Sequence, residues 1–257
     1  MSSAHLVVRE LRTLWPRRAS GLPPGQRVLD AFPRFADDPR RPPPVLPPAA
    51  TLRVTSFAGN HQVISHEELQ ASNLVESRAS DFHCVTTWTA RGQTWTGVPL
   101  AAWWRARVEP GTPGTPLYAV VRGFDGYQAV FERDDLFADD VMLVWKLDHR
   151  PLDLRHGFPL RLISPSQYGY KSVKHVESIE LCEQQPVSLL GAKEHPRARV
   201  AAEERHSRLP ARLLRWPYRI LVPITAVVAE RTLNRIVADT SGSMRSRLPR
   251  AQQERLR

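Results

Sequence analysis

Short runs of β-branched and aromatic residues fill the middle of the chain, and residues typical of turns separate them. Turn pairs such as Asp125-Gly126 and His156-Gly157 bound several of these runs, which predicts β-strands. A first strand is predicted from Leu52 in LRVTSF, and the later ones are LYAVV, YQAVF, VMLVWKL, LRLIS and VESIELC. Strands and helices do not alternate regularly along the sequence, so the pattern favours an α+β fold over a doubly wound one.

Two short helices are predicted between these strands. Ser65 and Glu68 have the spacing of a capping box, which predicts a helix start at SHEELQA. In GVPLAAWWRA, Pro99 stands where a helix can begin, and the glycines and prolines from Gly111 to Pro116 end that helix. Both helices are expected at the periphery of a mixed-strand body.

The two ends of the chain differ in composition from the middle. Residues 16–50 are rich in proline and arginine, which predicts an extended segment along the domain surface. Near the other end, helices are predicted at Ala198 to Leu209 and at Ile224 to Ala238, and Ser241 to Arg257 is predicted to be disordered. These patterns divide the chain into an extended lead-in (1–50), one domain (51–190) and a basic, helical and partly disordered tail (191–257).

Composition supports one substantial core and a basic tail. The 257 residues are 42% hydrophobic and include seven Trp and eight Phe. Of the 36 Lys and Arg residues, 15 lie in 191–257 against 6 Asp or Glu, which leaves 21 against 20 in residues 1–190. The tail is therefore either a solvated arm or a site for nucleic acid, a membrane or a partner protein.

Neither the N-terminal segment nor any other stretch looks like a membrane signal. MSSAHLVVRELRTLWPRR has no continuous apolar region, and the most apolar stretch, WPYRILVPITAVVAE, contains Arg219 and two prolines. Cys84 and Cys182, which are the only cysteines in the sequence, lie far apart, as is typical of a reducing compartment. We expect a cytoplasmic protein without a membrane span.

The segment DFHCVTTWT, Asp81 to Thr89, raises the question of what Cys84 does. A free cysteine is most often a small buried hydrophobic residue. A cysteine hydrolase would need a histidine base, but His83 points to the opposite face if the segment is extended. A zinc site is weaker still, because His61 and His66 do not stand at ligand spacing.

A basic cluster lies downstream, in HGFPLRLISPSQYGYKSVKHVESIEL. His156, Arg161, Lys171, Ser172 and Lys174 are crowded around two predicted strands and a turn. These side chains suit an oxyanion such as phosphate through charge-assisted hydrogen bonds. The alternative is a hairpin whose basic residues are solvated.

Taken together and in order, the motifs resemble the molybdenum-cofactor oxidoreductases of the sulfite oxidase family, and most closely its small haem-free bacterial members. The matching segments are LPPGQRVLDAFPRF, DFHCVTTWT, WTGVPLAAWW, the DGY of Asp125 to Tyr127, HGFPLRL and YGYKSVKHVESIEL. The resemblance covers residues 21 to about 182. It implies a sulfite oxidase-type molybdopterin-binding domain of mixed β-sheets with short peripheral helices.

The resemblance also implies a set of site residues. Cys84 corresponds to the cysteine that ligates molybdenum beside the two sulfurs of one pterin cofactor, and the neighbouring His83 joins the cofactor-binding set. Tyr127 corresponds to a tyrosine beside the metal, so Cys84 and Tyr127 are the expected catalytic residues. The residues expected to hold the pterin phosphate are His156, Arg161, Ser172, Val173 (through its backbone) and Lys174, with Lys171 and Tyr168 in the same turn.

The expected reaction is two-electron oxygen-atom transfer to or from a small S- or N-oxide-type substrate. The sequence has no haem-attachment or flavin motif, so electrons would be exchanged with a separate protein. The anion pocket of sulfite oxidases has no recognisable equivalent around Val85 to Trp88, which argues against sulfite. The alternatives are an inactive relative that serves as a binding or scaffold protein, a Cys-His hydrolase, and nucleic-acid binding through the tail, which we do not expect.

Overall fold

The computed structural model describes residues 16–33, 43–56, 59–108 and 117–247. The predicted Gly111 to Pro116 break lies outside these ranges, as do residues 1–15 and 34–42 of the lead-in. The described strands are β1 (Arg27–Val28), β2 (Thr51–Thr55), β3 (His61–Ser65), β4 (Glu76–His83), β5 (Trp88–Pro99), β6 (Tyr118–Gly123), β7 (Gln128–Glu132), β8 (Met142–Leu147), β9 (Arg150–Pro151), β10 (Arg161–Ile163) and β11 (Val176–Cys182). The described helices are α1 (His66–Gln70), α2 (Leu100–Arg107), α3 (Arg133–Leu136) and α4 (Ala211–Arg247).

The strands form two mixed sheets, which confirms the α+β fold class. In the six-stranded sheet, β5 pairs antiparallel with β4 along one edge, and with β1 (parallel) and β8 (antiparallel) along the other. β10 and β9 then pair with β8. The five-stranded sheet has the order β3-β2-β11-β6-β7, in which only β2 and β11 are parallel. The six strands predicted from the sequence correspond to β2, β6, β7, β8, β10 and β11.

Two large apolar clusters fill the interior. The larger one takes side chains from both sheets and from α2, including Trp103 and Trp104. The second belongs to the six-stranded sheet and contains Phe82, Cys84 and Trp88 together with Val222 of α4. The segment predicted to bear the site therefore lies against a helix from the predicted tail.

Both short helices begin as predicted. The hydroxyl of Ser65 accepts a hydrogen bond from the Glu68 backbone N–H (3.1 Å), and the Glu68 carboxylate accepts one from the Ser65 backbone N–H (3.1 Å). This reciprocal pair satisfies two backbone donors that a helix start leaves open. Helix α2 follows Pro99 directly and buries both of its tryptophans.

The ends of the chain depart from the predictions. Gln26, Val28 and Leu29 are buried, so the surface position predicted for the lead-in is wrong for this part. The helix predicted at Ala198 to Leu209 is also wrong, because these residues form turns and bends in which Ala198 and Glu203 have φ of 55°. Three of their charged side chains, Arg199, Glu203 and Glu204, pair with residues outside this segment, and Glu203 also pairs with Arg205 inside it.

Helix α4 is longer than the helix predicted at Ile224 to Ala238. It begins at Ala211 and continues to Arg247 with Pro217 and Pro223 inside it. The disorder predicted for Ser241 to Arg257 is therefore wrong for 241–247, and 248–257 lie outside the described residues. None of the helices in the described part of the chain combines the length and apolar composition needed to cross a bilayer.

Candidate metal and cofactor site

A tight turn from Cys84 to Thr87 joins β4 to β5. The Thr87 N–H donates to the Cys84 carbonyl (3.1 Å), and the Cys84 N–H donates to the Trp88 carbonyl (2.8 Å). Thr87 has φ of 76°, a left-handed conformation that is strained for a β-branched residue. The Arg27 N–H of β1 donates to the Thr87 carbonyl (3.0 Å), so the lead-in helps to hold this turn in place.

The Cys84 side chain is 7% exposed and lies in an apolar surrounding. Its sulfur lies 3.1 Å from the Thr86 hydroxyl. Burial raises the pKa of the Cys84 thiol, while the Thr86 hydrogen bond and the positive charges of Arg205 and Lys174 act to lower it. A raised pKa is typical of a buried thiol that stays protonated, and a bound metal would hold its sulfur as the thiolate.

His83 is buried next to Cys84 but does not serve it as a base. Its Nδ1 lies 2.9 Å from the Thr89 hydroxyl, which in turn donates to Gln26 Oε1 (3.1 Å). Nδ1 is therefore the protonated nitrogen, and burial lowers the pKa of His83. Within the described ranges, no histidine forms a hydrogen bond to the Cys84 sulfur, which argues against the Cys-His hydrolase.

Arg161 lies at the start of β10 with 1% of its surface exposed. Its guanidinium faces the rings of Phe32, Phe82 and Trp95 at 5.6, 5.0 and 5.5 Å. Nη1 donates to the His156 carbonyl (2.9 Å), whereas Nε is buried with no hydrogen-bond partner among the described residues. Burial lowers the pKa of Arg161 to about 9, although the nearby Asp153 opposes this.

His156 stands between a carboxylate and a backbone carbonyl. Its Nδ1 lies 2.9 Å from Asp153 Oδ1, and its Nε2 lies 3.0 Å from the Phe32 carbonyl. Because a carbonyl oxygen can only accept, Nε2 is the donor in the contact with Phe32. Burial acts to raise the pKa of Asp153, but the hydrogen bond from His156 and the charge of Arg155 lower it overall. The contact between His156 and Phe32 connects the basic cluster to the lead-in.

The Ser172-Val173-Lys174 segment lies beside β10, the strand that begins at Arg161, because the Leu162 N–H donates to the Val173 carbonyl (2.8 Å). The Ser172 hydroxyl accepts from the Ser164 N–H (3.2 Å), so its own proton remains to be donated. The Val173 N–H donates to the Lys171 carbonyl (3.0 Å), and Lys174 Nζ donates to the Arg155 carbonyl (2.9 Å). Ser172 and Val173 are buried and Lys174 is half-buried.

Lys171, which the sequence placed in the oxyanion cluster, lies elsewhere. It is fully buried, and its Nζ donates to the Val130 carbonyl and to the carboxylate of Glu194 (2.6 Å). Burial lowers the pKa of Lys171, and the charge of Glu194 opposes the shift. Since both groups of this ion pair are satisfied, Lys171 is a structural residue of the core.

A direct backbone contact brings the two predicted clusters together. The Gly169 N–H donates to the His83 carbonyl (2.7 Å). A Cβ at Gly169 would lie only 2.3 Å from the Phe82 ring, so this close approach requires glycine. The Arg161 guanidinium also lies 5.0 Å from the centre of the Phe82 ring. Phe82, which precedes the Cys84 turn, therefore contacts the basic cluster.

Tyr127 lies near the same loop. Its hydroxyl donates to the Tyr170 carbonyl (2.6 Å), and its N–H donates to Asp125 Oδ1 (3.0 Å). The side chain is half-buried and packs against the larger apolar cluster, whereas Cys84 belongs to the second one. Tyr127 is thus tied to the loop of the basic cluster by its hydroxyl.

Residues outside the predicted domain complete the surroundings of Cys84, and sequence analysis missed them. Gln26 Nε2 donates to the Cys84 carbonyl (3.1 Å), and Arg205 Nη1 donates to the Val85 carbonyl. Arg205 is fully buried, and its guanidinium lies 4.8 Å from the centre of the Tyr168 ring. Burial raises the pKa of Tyr218 on α4, and a contribution from Cys84 indicates that the two groups are close. No sequence spacing links these residues, because they come from both ends of the chain.

Known proteins resemble this chain over the same region. The family described as oxidoreductase molybdopterin binding domain matches residues 41–189, which is more than half of the chain. The uncharacterized oxidoreductase YuiH of Bacillus subtilis is 29% identical over 129 residues, which cover 50% of this chain and 63% of that protein.

Two further relatives carry more specific names. The putative protein-methionine-sulfoxide reductase subunit YedZ1 of Azospira oryzae is 28% identical over 50% of this chain and 47% of its own length. The protein-methionine-sulfoxide reductase catalytic subunit MsrP of Gluconobacter oxydans is 25% identical over 53% of this chain and 48% of its own. The aligned region thus spans about half to two thirds of each relative.

Among solved structures, the sulfane dehydrogenase SoxCD of Paracoccus pantotrophus matches with a TM-score of 0.47 and 20% identity, over 54% of this chain and 39% of that one. The family match, which covers both the Cys84 turn and the basic cluster, is the decisive finding. This chain belongs to the molybdopterin-binding oxidoreductases of the sulfite oxidase type.

Proposed function

We propose that this protein is a molybdenum-cofactor-dependent enzyme in which the Cys84 thiolate ligates the metal and the basic cluster holds the pterin phosphate. The proposed reaction is two-electron oxygen-atom transfer to or from a small S- or N-oxide-type substrate. The observation that carries this proposal is the contact between Gly169 and His83, which joins the Cys84 turn to the loop before Lys174. One bound cofactor could reach both.

The donor set fits such a group. In the described residues, no group of three or more His, Cys, Asp or Glu side chains could hold a metal ion by itself. A single soft thiolate suits a metal whose other ligands come from an organic cofactor. When bound, that cofactor supplies the two-electron redox chemistry, whereas the protein supplies ligation, orientation and exclusion of water.

The basic cluster has unused capacity for an anion. Arg161, Lys174 and His156 each donate to a backbone carbonyl, a neutral acceptor that a phosphate can replace with a stronger, charged one. Arg161 also has the buried, unpaired Nε, and the Ser172 hydroxyl has a proton to donate. We propose that these four side chains and the Val173 backbone bind the phosphate end, with His83 next to the metal end.

Tyr127 stays a predicted catalytic residue. Its hydroxyl donates to the Tyr170 carbonyl, so to reach the oxygen atom of a substrate it has to exchange this acceptor for another. A phenolic O–H suits this task because it can both donate and accept.

The names of two relatives support the class of substrate and the need for a partner. Both are named as subunits of protein-methionine-sulfoxide reductases, which act on an S-oxide. Because both names describe a subunit, we propose that this chain also works with a partner, a separate protein with which it exchanges electrons. The cytoplasmic location stays a prediction, and the second candidate function is an inactive binding or scaffold protein that keeps the fold.

Metal quantification with electron paramagnetic resonance tests the proposal. Protein made in a host that synthesises the molybdenum cofactor should contain about one Mo per chain and give a signal characteristic of thiolate ligation. Cys84→Ser should keep the fold but lose turnover and change that signal. Cys182→Ser is the matched control, because it removes the other cysteine, at the end of β11, and should change neither.

Two outcomes would contradict the proposal. Absence of near-stoichiometric Mo from the unmodified protein would favour the scaffold function. Full oxygen-atom transfer by Cys84→Ser would exclude Cys84 as the metal ligand.

A further inference from the structure

A pocket rich in arginine lies between the lead-in and helix α4. Its volume is about 330 Å³, and its lining residues are Arg18, Ala19, Gln26, Arg27, Arg215 and Arg219. Four of the six are arginines, and none is acidic. All six lie outside residues 41–189, which the molybdopterin-binding family covers.

The positive charges of this arginine pocket are only partly neutralised. Arg215 pairs with Glu203 (Nε to Oε1, 2.7 Å), but Glu203 also pairs with the buried Arg205. In the described part of the chain, Arg18, Arg27 and Arg219 form no ion pair with a carboxylate. The nearby Asp30 is already occupied by Arg17, at 2.8 Å. The pocket therefore carries more positive charge than its neighbours compensate.

Arg219 lies close to several of the other positively charged side chains around the pocket. Its Nη2 donates to the Gly25 carbonyl (3.3 Å), and its Nε is buried without a hydrogen-bond partner among the described residues. Burial lowers the pKa of Arg219, and repulsion from Arg27, Arg215, Arg205 and Arg18 adds to this effect. A buried, unpaired N–H beside several like charges is a costly arrangement unless an anion is present.

The backbone of the lead-in is shaped for this close approach. Gly25 has φ of 73°, and a Cβ at this position would lie 2.5 Å from Glu203 Oε1 and 2.7 Å from Arg215 Nε. Glycine therefore allows the lead-in and α4 to come together despite the charge on both sides. The pocket is a built junction between two segments about 190 residues apart in sequence.

We propose that the arginine pocket is an anion-binding site that takes a small tetrahedral oxyanion of the sulfate or phosphate class and fastens α4 to the lead-in. Guanidinium groups donate two parallel hydrogen bonds to such oxygens, and Arg219 Nε supplies an unused donor. The volume corresponds to roughly ten water molecules, enough for a partly hydrated oxyanion. The proposal is independent of the redox function.

A residue that lines the pocket also contacts the Cys84 turn, so a bound anion can affect this turn indirectly. Gln26 lines the pocket and also donates to the Cys84 carbonyl and accepts from Thr89. The segment that follows, Arg27–Val28, pairs with the start of β5. An anion that orders the lead-in therefore also orders the backbone around Cys84.

The test is a sulfate titration of the full-length protein, followed by thermal unfolding at constant ionic strength with chloride as the balancing ion. The unmodified protein should show a saturable rise in Tm. Arg219→Gln and Arg27→Gln should each weaken the apparent affinity for sulfate roughly tenfold or more, because each removes a charged donor. Arg212→Gln is the matched control, an exposed arginine of the same helix, and should respond like the unmodified protein.

The phosphate of the pterin is a second source of the same chemistry, so the titration is performed on both cofactor-loaded and cofactor-free protein. Equal affinity in the two forms supports a site for a free oxyanion. Loss of the sulfate response upon cofactor loading would overturn the proposal, since the pocket would then hold the phosphate of the cofactor. It would also be overturned if no saturable response occurs, or if Arg219→Gln and Arg27→Gln respond like the control.

Discussion

Two buried arginines, Arg161 and Arg205, occupy opposite kinds of environment. Arg205 is 0% exposed, and all three of its nitrogens donate, to Glu203 (3.2 Å), to the Val85 carbonyl and to the Pro24 carbonyl (3.2 Å). Arg161 is 1% exposed, but its Nη1 makes a single hydrogen bond, to the His156 carbonyl, and its Nε has no partner in the described ranges. Three aromatic rings lie against Arg161, whereas Arg205 has one ring, that of Tyr168, in addition to its carboxylate and two carbonyl partners.

The number of completed hydrogen bonds distinguishes a buried charged residue that stabilises the fold from one that is suited to bind a ligand. A buried charge is stable when its hydrogen bonds are complete, as those of Arg205 are, and its removal leaves polar partners unsatisfied. A buried charge with incomplete hydrogen bonds is costly to the empty protein and therefore points to a ligand that completes them. By this criterion we propose that Arg161 is a binding residue of the cofactor site, whereas Arg205 stabilises the Cys84 turn through its hydrogen bond to the Val85 carbonyl.

The largest expected effect is that of Arg205→Met. Removing this guanidinium leaves the carbonyl groups of Val85 and Pro24 without their donor, so we expect the free energy of unfolding to fall by about 3–5 kcal/mol. Urea denaturation measures this change. Arg107→Met is the control, because Arg107 and its partner Glu68 are 55% and 48% exposed, so the loss should be below about 1 kcal/mol. Equal losses in the two variants would show that Arg205 is not structural.

A third buried basic side chain, His175, differs from both arginines because it can release its proton. Burial lowers the pKa of His175 to about 4, although a hydrogen bond to the Phe158 carbonyl (2.6 Å) opposes this. Between about pH 6.5 and pH 4, the unfolded chain binds a proton that the folded protein does not. Stability should therefore decrease as the pH falls through this window, by at most about 3 kcal/mol.

The variant His175→Asn isolates this contribution. Asparagine tolerates the left-handed backbone of His175 (φ of 53°) and has no proton to gain. Urea midpoints at about pH 7 and about pH 5 should differ less in the variant than in the unmodified protein. An identical pH dependence would mean that His175 is already protonated in the folded state or that the imidazole is accessible to water.

The smallest effect on stability, and the sharpest test of the comparison, is expected from Arg161→Met. Methionine keeps contacts with the three rings, and only one hydrogen bond is lost, so the stability of the cofactor-free protein should change by less than about 1 kcal/mol. The Mo and pterin content after purification should nevertheless fall. Arg91→Met, which removes a half-exposed arginine of β5, should retain both. If Arg161→Met is strongly destabilised but keeps its cofactor, Arg161 is a structural residue like Arg205, and the comparison fails.

The sequence was a good guide where side chains act locally. Strands β2, β6, β7, β8, β10 and β11 follow from short β-branched and aromatic runs, and the capping box depends on two residues three positions apart. By contrast, β4 and β5 escaped prediction, because their mixed sequences ESRASDFH and WTARGQTWTGVP lack a continuous apolar run. Pairing with neighbouring strands, which no local pattern records, determines their conformation.

Long-range pairing also explains what was missed at the site. Lys171 resembled its neighbour Lys174 in sequence, and only the burial of Glu194, from the predicted tail, identifies it as half of an internal ion pair. The same holds for Arg205, whose partners come from residues 24, 85 and 203. The resemblance to a family supplied Cys84, Arg161 and Lys174, but it could not supply residues outside the family's common segments.

The contact between Val222 and the apolar cluster of Cys84 has a consequence for the order of events during synthesis. Arg205 and Val222 lie more than 120 positions after Cys84, so a growing polypeptide has an uncovered Cys84 turn until these residues have left the ribosome. The β-sheets can assemble earlier, since β11 ends at Cys182. The surroundings of Cys84 that Arg205 and Val222 provide are therefore completed last, after all strands of both sheets have been synthesised.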